Sequence, residues 1–354
     1  MLGNTVKMTF RWFGPGDPVT LDRIRQIPVV RGIVSSLHDV PAGEPWDRWR
    51  LAALKATIER HGLSFEGVES IPVHEDVKLG LPTRDRYIDA FISGVKSMGA
   101  LGIGTLCYNF MPVFDWTRTE LARRLPDGST ALAYEHGALQ ALLDGPGAFE
   151  LPAWARAYTR EDLSRMLEAW RGMDHEGLWR NLEYFLSAVV PEAKKAGVRM
   201  AIHPDDPPWD ILGLPRIVTD GPALQRLVSI VDSPFNGVTF CVGSLGPAAG
   251  NDLPAMIRSL RGRIPFAHLR NIARTGERDF RETAHPSDCG SLDMYAIVKA
   301  LVESGFDGIV RPDHGRMLWG ETGQPGYGMY DRALGAMYLA GLWEAVEKGS
   351  RRQP

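Results

Sequence analysis

Cysteine is scarce, with three in 354 residues. That is too few for a disulfide framework, and a reducing compartment, the cytoplasm, is expected. Long apolar runs are missing too: no stretch reaches the ~18 residues of a spanning helix, and the segment Met1 to Phe10 has no apolar core of a secretion signal. Neither sign of charge dominates. Lys and Arg number 40 against 43 Asp and Glu, dispersed without runs, so nothing favours nucleic acid or a membrane surface as partner. No G-x-G-x-x-G follows the first apolar segment, and no Walker loop or G-x-S-x-G elbow occurs. Dinucleotide, phosphate-loop and serine-hydrolase readings lose their main support.

What is present is a regular alternation. Eight short, nearly continuous apolar segments read as strands: Met8–Phe13, Val30–Ser36, Ser64–Ser70, Thr105–Met111, Arg199–Pro204, Gly237–Gly243, Ile264–Asn271 and Gly308–His314. Such segments suit parallel strands covered on both faces. Helical patterns fill the gaps, among them Arg84–Met98, Glu161–Lys195, Gly221–Val231 and Tyr327–Glu347. Leu178, Leu182, Phe185, Leu186 and Val189 fall at helical spacing, and Thr159-x-x-Asp162 reads as a capping box before them. His61-Gly62, Ala196-Gly197 and Ser304-Gly305 read as helix ends. The alternation predicts a (β/α)8 TIM barrel, an α/β single domain over 1–354. Residues 113–160, after the fourth strand, are expected to be an irregular lid or oligomer-contact insertion, with turn sequences Pro126-Asp-Gly128 and Gly145-Pro-Gly147.

Four successive strands end in His203, Cys241, His268 and Asp313. Parallel barrel strands bring their ends to one rim, so two imidazoles, a thiol and a carboxylate can converge on one divalent metal. Each residue alone is more simply a buried thiol or a hydrogen-bonded core side chain; four in register point to a metal site. Polar residues that a core would not hold follow the same strand ends: Asn109, Asp205 and Asp206, Arg270 and Asn271, His314 and Arg316, with His74-Glu75-Asp76 and Arg84 after the third. Guanidinium and amide donors around a metal suit a small hydroxy acid, with Arg270 and Arg84 as candidates for its carboxylate. Tyr327, between Gly326 and Gly328, is placed to act as an acid or base. His285 and Cys289 read as loop residues. Donor chemistry alone favours Zn2+ for a site with a thiolate.

Several strings make the chain recognisable: Met8-Thr-Phe-Arg-Trp12, Val73-His-Glu-Asp76, Tyr108-Asn-Phe-Met-Pro112, Asp115-Trp-Thr-Arg118, Ala201-Ile-His-Pro-Asp-Asp-Pro-Pro208, Arg311-Pro-Asp-His-Gly-Arg316 and Pro325-Gly-Tyr-Gly328. With these, the chain closely resembles the mannonate dehydratases of hexuronate degradation, in the xylose-isomerase-like barrel superfamily. The resemblance implies a hydro-lyase that converts D-mannonate to 2-keto-3-deoxy-D-gluconate. It implies Mn2+ or Fe2+ rather than Zn2+, held by His203, Cys241, His268 and Asp313, with His314 and Tyr327 transferring protons. Which of the two takes the C2 proton is open at this point. A homo-oligomer, dimer or higher, is expected. The competing readings are a metal-dependent sugar isomerase or epimerase on the same fold, a dehydratase of a related aldonic acid, and a silent sugar-acid binder.

Overall fold

A computed structural model of the chain describes residues 7–144 and 160–350. Among them are twelve strands: β1 (Lys7–Arg11), β2 (Gly32–Ser35), β3 (Ser64–Glu69), β4 (Thr105–Tyr108), β5 (Glu120–Arg124), β6 (Thr130–Tyr134), β7 (Arg199–Ile202), β8 (Asn236–Cys241), β9 (Phe266–His268), β10 (Ile272–Arg274), β11 (Phe280–Glu282) and β12 (Ile309–Arg311). Eight of these close into a barrel in the order β1-β12-β9-β8-β7-β4-β3-β2. Every pairing in it is parallel. The barrel is the one read from the sequence, and each of its strands lies within or overlaps an expected segment. β2, β4 and β8 are buried along their whole length, which is why they carry no polar alternation.

Helices surround the barrel. The long helix His175–Ala196 buries Leu178, Leu182, Phe185, Leu186 and Val189 and packs on Arg84–Ala100. Gly62, Gly197 and Gly305 stand just past helix ends with φ of 75°, 71° and 69°, conformations that glycine adopts without a Cβ penalty.

Two expectations are corrected. The single helix over Glu161–Lys195 is two, Arg160–Ala169 and His175–Ala196. Gly172 at φ 85° ends the first turn of chain, and Asp174 starts the second helix by accepting from Gly177 N at 2.6 Å. Thr159 of the expected capping box and the Gly145-Pro-Gly147 turn lie outside the described residues. The insertion is not irregular throughout either: β5 and β6 form a hairpin whose turn is Pro126-Asp-Gly128, closed by Leu125 N to Ser129 O at 2.9 Å. A helix, His136–Asp144, follows it. This hairpin joins β10 and β11, which lie between β9 and β12 in sequence, in an antiparallel four-stranded sheet of order β10-β11-β6-β5. β5, β10 and β11 are partly exposed, so they lack the unbroken apolar runs that mark the barrel. This second sheet forms a roof beside the barrel mouth. No helix among the described residues is long and apolar enough to cross a membrane.

Candidate metal centre and active site

Register brings the ligand types together. Cys241 pairs with His268 across β8 and β9, and His268 with Arg311 across β9 and β12. His203 follows the last residue of β7, and its backbone N–H donates to Tyr108 O at 2.6 Å. Side-chain ligand atoms of His203, Cys241 and His268 all lie within 4.8 Å of one another. The Asp313 carboxylate stands beside them, with Oδ2 3.6 Å from Cys241 Sγ and Oδ1 3.7 Å from His268 Nδ1. Asp313 has φ 63°, a left-handed conformation that few residues other than glycine adopt.

These residues fit a divalent metal. His203 Nδ1 donates to Pro204 O at 2.8 Å, which leaves its Nε2 lone pair free to ligate. His268 Nδ1 is buried without a hydrogen-bond partner, and Asp313 Oδ1 is buried beside the Arg311 guanidinium, 2.7 Å away. A buried imidazole nitrogen left without a partner is costly unless something else completes it. Burial opposes ionisation of Asp313, but Arg311, Arg270, His314 and His268 outweigh it and hold the carboxyl well below the usual range. The group is therefore anionic, as a ligand must be.

His203 and Asp313 face a cavity at the mouth of the barrel. Arg11, Glu69, Asn109, Asp115, His203, Asp206, Arg270, Arg311, Asp313, His314 and Tyr327 are among its lining. On one side, His314 Nε2 lies 2.8 Å from Tyr327 Oη. Tyr327 is fixed from behind: Arg332 donates to the carbonyls of Tyr327 and Gly328 at 2.5 and 2.6 Å, and Phe13 meets the ring edge-on at 4.8 Å.

Several expected substrate contacts sit elsewhere. Arg84 is outside the cavity, with its guanidinium 3.5 Å from the centre of the Tyr184 ring. Asn271 is a loop brace: it donates to Pro286 O and accepts from the backbone N–H of Ile272 and Leu292. Asp205 accepts from the N–H groups of Ile217 and Val218, and its neighbour Asp206 faces the cavity instead. Arg270 does line the cavity but is bound to protein groups, donating to Asp313, to Cys241 Sγ at 3.2 Å and to Asp206 at 2.6 Å. Its side chain lies where a Cβ on Gly243 would stand, 2.3 Å from Nε, so that position must be glycine. Asn109 lines the cavity as expected, whereas His285 is buried against Pro312 O.

Other residues were not singled out from the sequence. Arg11 and Arg311 face the cavity with Arg11 Nε, Arg11 Nη1 and Arg311 Nη1 buried and without hydrogen-bond partners. Arg311 also donates to His268 Nε2 and to Glu69. Arg118 forms a two-pronged pair with Asp206 at 2.7 and 3.0 Å and reaches Glu282 at 3.0 Å. A charged residue inside an apolar strand, as at Arg11, Glu69 and Arg311, was the available signal.

A closed parallel barrel with a His–Cys–His cluster and an imidazole–phenol pair at its C-terminal mouth defines a TIM-barrel enzyme with a metal-type site. The D-mannonate dehydratase (UxuA) family matches residues 6–353, and the chain belongs to that family. "Mannonate dehydratase 2" of Halalkalibacterium halodurans is 54% identical over 343 residues, covering 96% of this chain and 99% of that one. The crystal structure of mannonate dehydratase from Streptococcus suis superposes with a TM-score of 0.90 at 46% identity, covering 99% of this chain and 97% of that one. A xylose isomerase domain protein from Planctomyces limnophilus has the same fold, with a TM-score of 0.56 at 12% identity over 97% of this chain and 99% of that one.

Proposed function

We propose that the protein dehydrates D-mannonate to 2-keto-3-deoxy-D-gluconate and water, as a hydro-lyase using Mn2+ or Fe2+. The observation that carries this reading is the His203–Cys241–His268 cluster, whose His203 lines the same cavity as the His314–Tyr327 pair. Loss of water from an aldonic acid needs both halves. One must stabilise charge next to the carboxylate, and the other must take a proton from C2 and give one to the C3 oxygen.

His203, Cys241 and His268, with Asp313, would hold the metal. When bound there, it supplies Lewis acidity for the substrate carboxylate and adjacent hydroxyl. Arg11 Nε and Arg311 Nη1 offer N–H groups without protein partners to substrate oxygens, which makes these residues better candidates for binding the hydroxy acid than Arg84 or Arg270. Asn109 adds an amide at the same wall. Arg270 instead orients Cys241 and Asp313. His314 and Tyr327 move the protons at C2 and at the C3 oxygen.

The direct test is incubation of Mn2+- or Fe2+-reconstituted protein with a panel of hexonates, followed by NMR of the products. A 2-keto-3-deoxy acid formed from D-mannonate supports the reading. An isomeric or epimeric sugar acid, or no consumption of any hexonate, overturns it.

A further inference from the structure

We propose that Glu282, carried by roof strand β11, is a positioning residue that makes His314 the base and Tyr327 the acid of the reaction. The inference rests on the dehydration reading above.

Glu282 is 1% exposed, and its Oε1 lies 2.7 Å from His314 Nδ1. Arg118 donates to the same oxygen at 3.0 Å, and Arg270 Nε stands 3.5 Å away. Burial opposes its charge, but the hydrogen bond from His314 and the Arg270 and Arg118 guanidiniums outweigh that and hold the carboxyl below its usual range. A carboxylate only accepts, so the hydrogen between the two groups belongs to His314 Nδ1. Neutral imidazole carries one N–H, so Nε2 presents a lone pair. The Tyr327 hydroxyl, 2.8 Å from Nε2, must then be the donor. Burial pushes the Tyr327 phenol up to about 12, which keeps that proton in place at neutral pH.

The polarity of the pair follows. The C2–H bond breaks and its proton passes to His314 Nε2, while its electron pair becomes the C2–C3 double bond. The C3–O bond breaks, and the departing oxygen takes the phenolic proton of Tyr327 and leaves as water. The enol becomes the 2-keto acid by tautomerisation. The imidazolium then returns its proton to the phenolate across their contact, so both groups reset without a proton from solvent. With the other tautomer, Nε2 would carry hydrogen and could not act as base.

The test combines kinetics with 15N NMR of histidine-labelled, Zn2+-loaded protein, His314 being assigned by its loss in His314→Gln. In the unaltered protein, Nδ1 should be the protonated, pyrrole-type nitrogen. Glu282→Leu should lower kcat about 100-fold or more with KM changed less than about threefold and metal content kept. Glu282→Gln, which retains an acceptor oxygen, should recover part of that loss. In a His314→Gln background, Glu282→Leu should cost nothing further, because the residue acts through the imidazole. A protonated Nε2 in the unaltered protein overturns the proposal, and so does an equal loss from Glu282→Leu with and without His314. Should Glu282→Leu fail to fold, the tautomer and the Gln variant still decide. The NMR readout needs no substrate: a protein that turned over no hexonate would defeat the dehydration reading and leave the tautomer assignment standing.

Discussion

Cys241 and His268 are register partners, facing one another across the β8–β9 ladder. The thiol and the imidazole are thus held together by backbone pairing and not by a loop. Their geometry should outlast changes in the roof. Cys241→Ser and His203→Ala should each lose bound metal and activity together, measured by elemental analysis and product formation. Thorough chelation should silence the unaltered protein, and Mn2+ or Fe2+ should restore it. Full activity after chelation would sink the metal assignment.

Tyr327→Phe removes the hydroxyl but keeps the ring that packs on Phe13. Metal content and thermal stability should hold while turnover falls roughly 100- to 10,000-fold, the usual span of one acid–base group. Turnover within a few-fold of the unaltered protein would remove Tyr327 from the chemistry.

Arg332 is buried with its N–H groups on the carbonyls of Tyr327, Gly328 and Arg11, and no carboxylate pairs with it in these contacts. Burial lowers its pKa to about 9. Arg332→Met should let Tyr327 drift and cut kcat roughly 10- to 100-fold, since small misplacements of a reacting group are expensive. Metal affinity, measured by titration, should be unaffected; an equal loss of metal binding would show that the clamp acts on the whole mouth.

Arg84→Ala should leave kcat and KM within about twofold, as expected for a surface change away from the site, because the guanidinium stacks on Tyr184 outside the cavity. A large rise in KM would return Arg84 to the substrate.

Asp206 supplies a pH test. Burial raises its pKa, but Arg118 and Arg270 outweigh this and hold it well below the usual carboxylate range. A depressed folded value means that its stabilisation is full above the unfolded value, about 3.9, and fades as pH falls through the folded one. Asp206→Asn should therefore be clearly less stable than the unaltered protein in urea at pH 7. The difference should shrink below about pH 4. A gap that stays constant down to pH 2 would contradict the assignment.

Much of the site was legible because barrel strands are buried on both faces and end at one rim. His203, Cys241 and His268 each close an apolar run, and a parallel barrel leaves them little choice but to meet. Which of two adjacent acids faces the cavity was not legible. Past the end of β7 no strand alternation orients side chains, so Asp205 turns to the backbone of Ile217 and Val218 while Asp206 turns inward. Arg84 and Asn271 misled for a related reason: proximity in sequence to a strand end does not say where a long or loop side chain points. Glu282 was invisible because β11 is three residues long and is tied into its sheet by β6, over a hundred positions away in sequence.

The roof strand β11 has a consequence for how the protein comes into being. Glu282 reaches the imidazole at the barrel mouth from a strand paired with both β6 and β10. A chain that had closed its barrel but not docked this sheet could already gather metal, yet its histidine would be free to hold its hydrogen on either nitrogen. Maturation should then have two separable stages, metal uptake first and chemical competence afterwards, with the second sheet as the part that arms the enzyme.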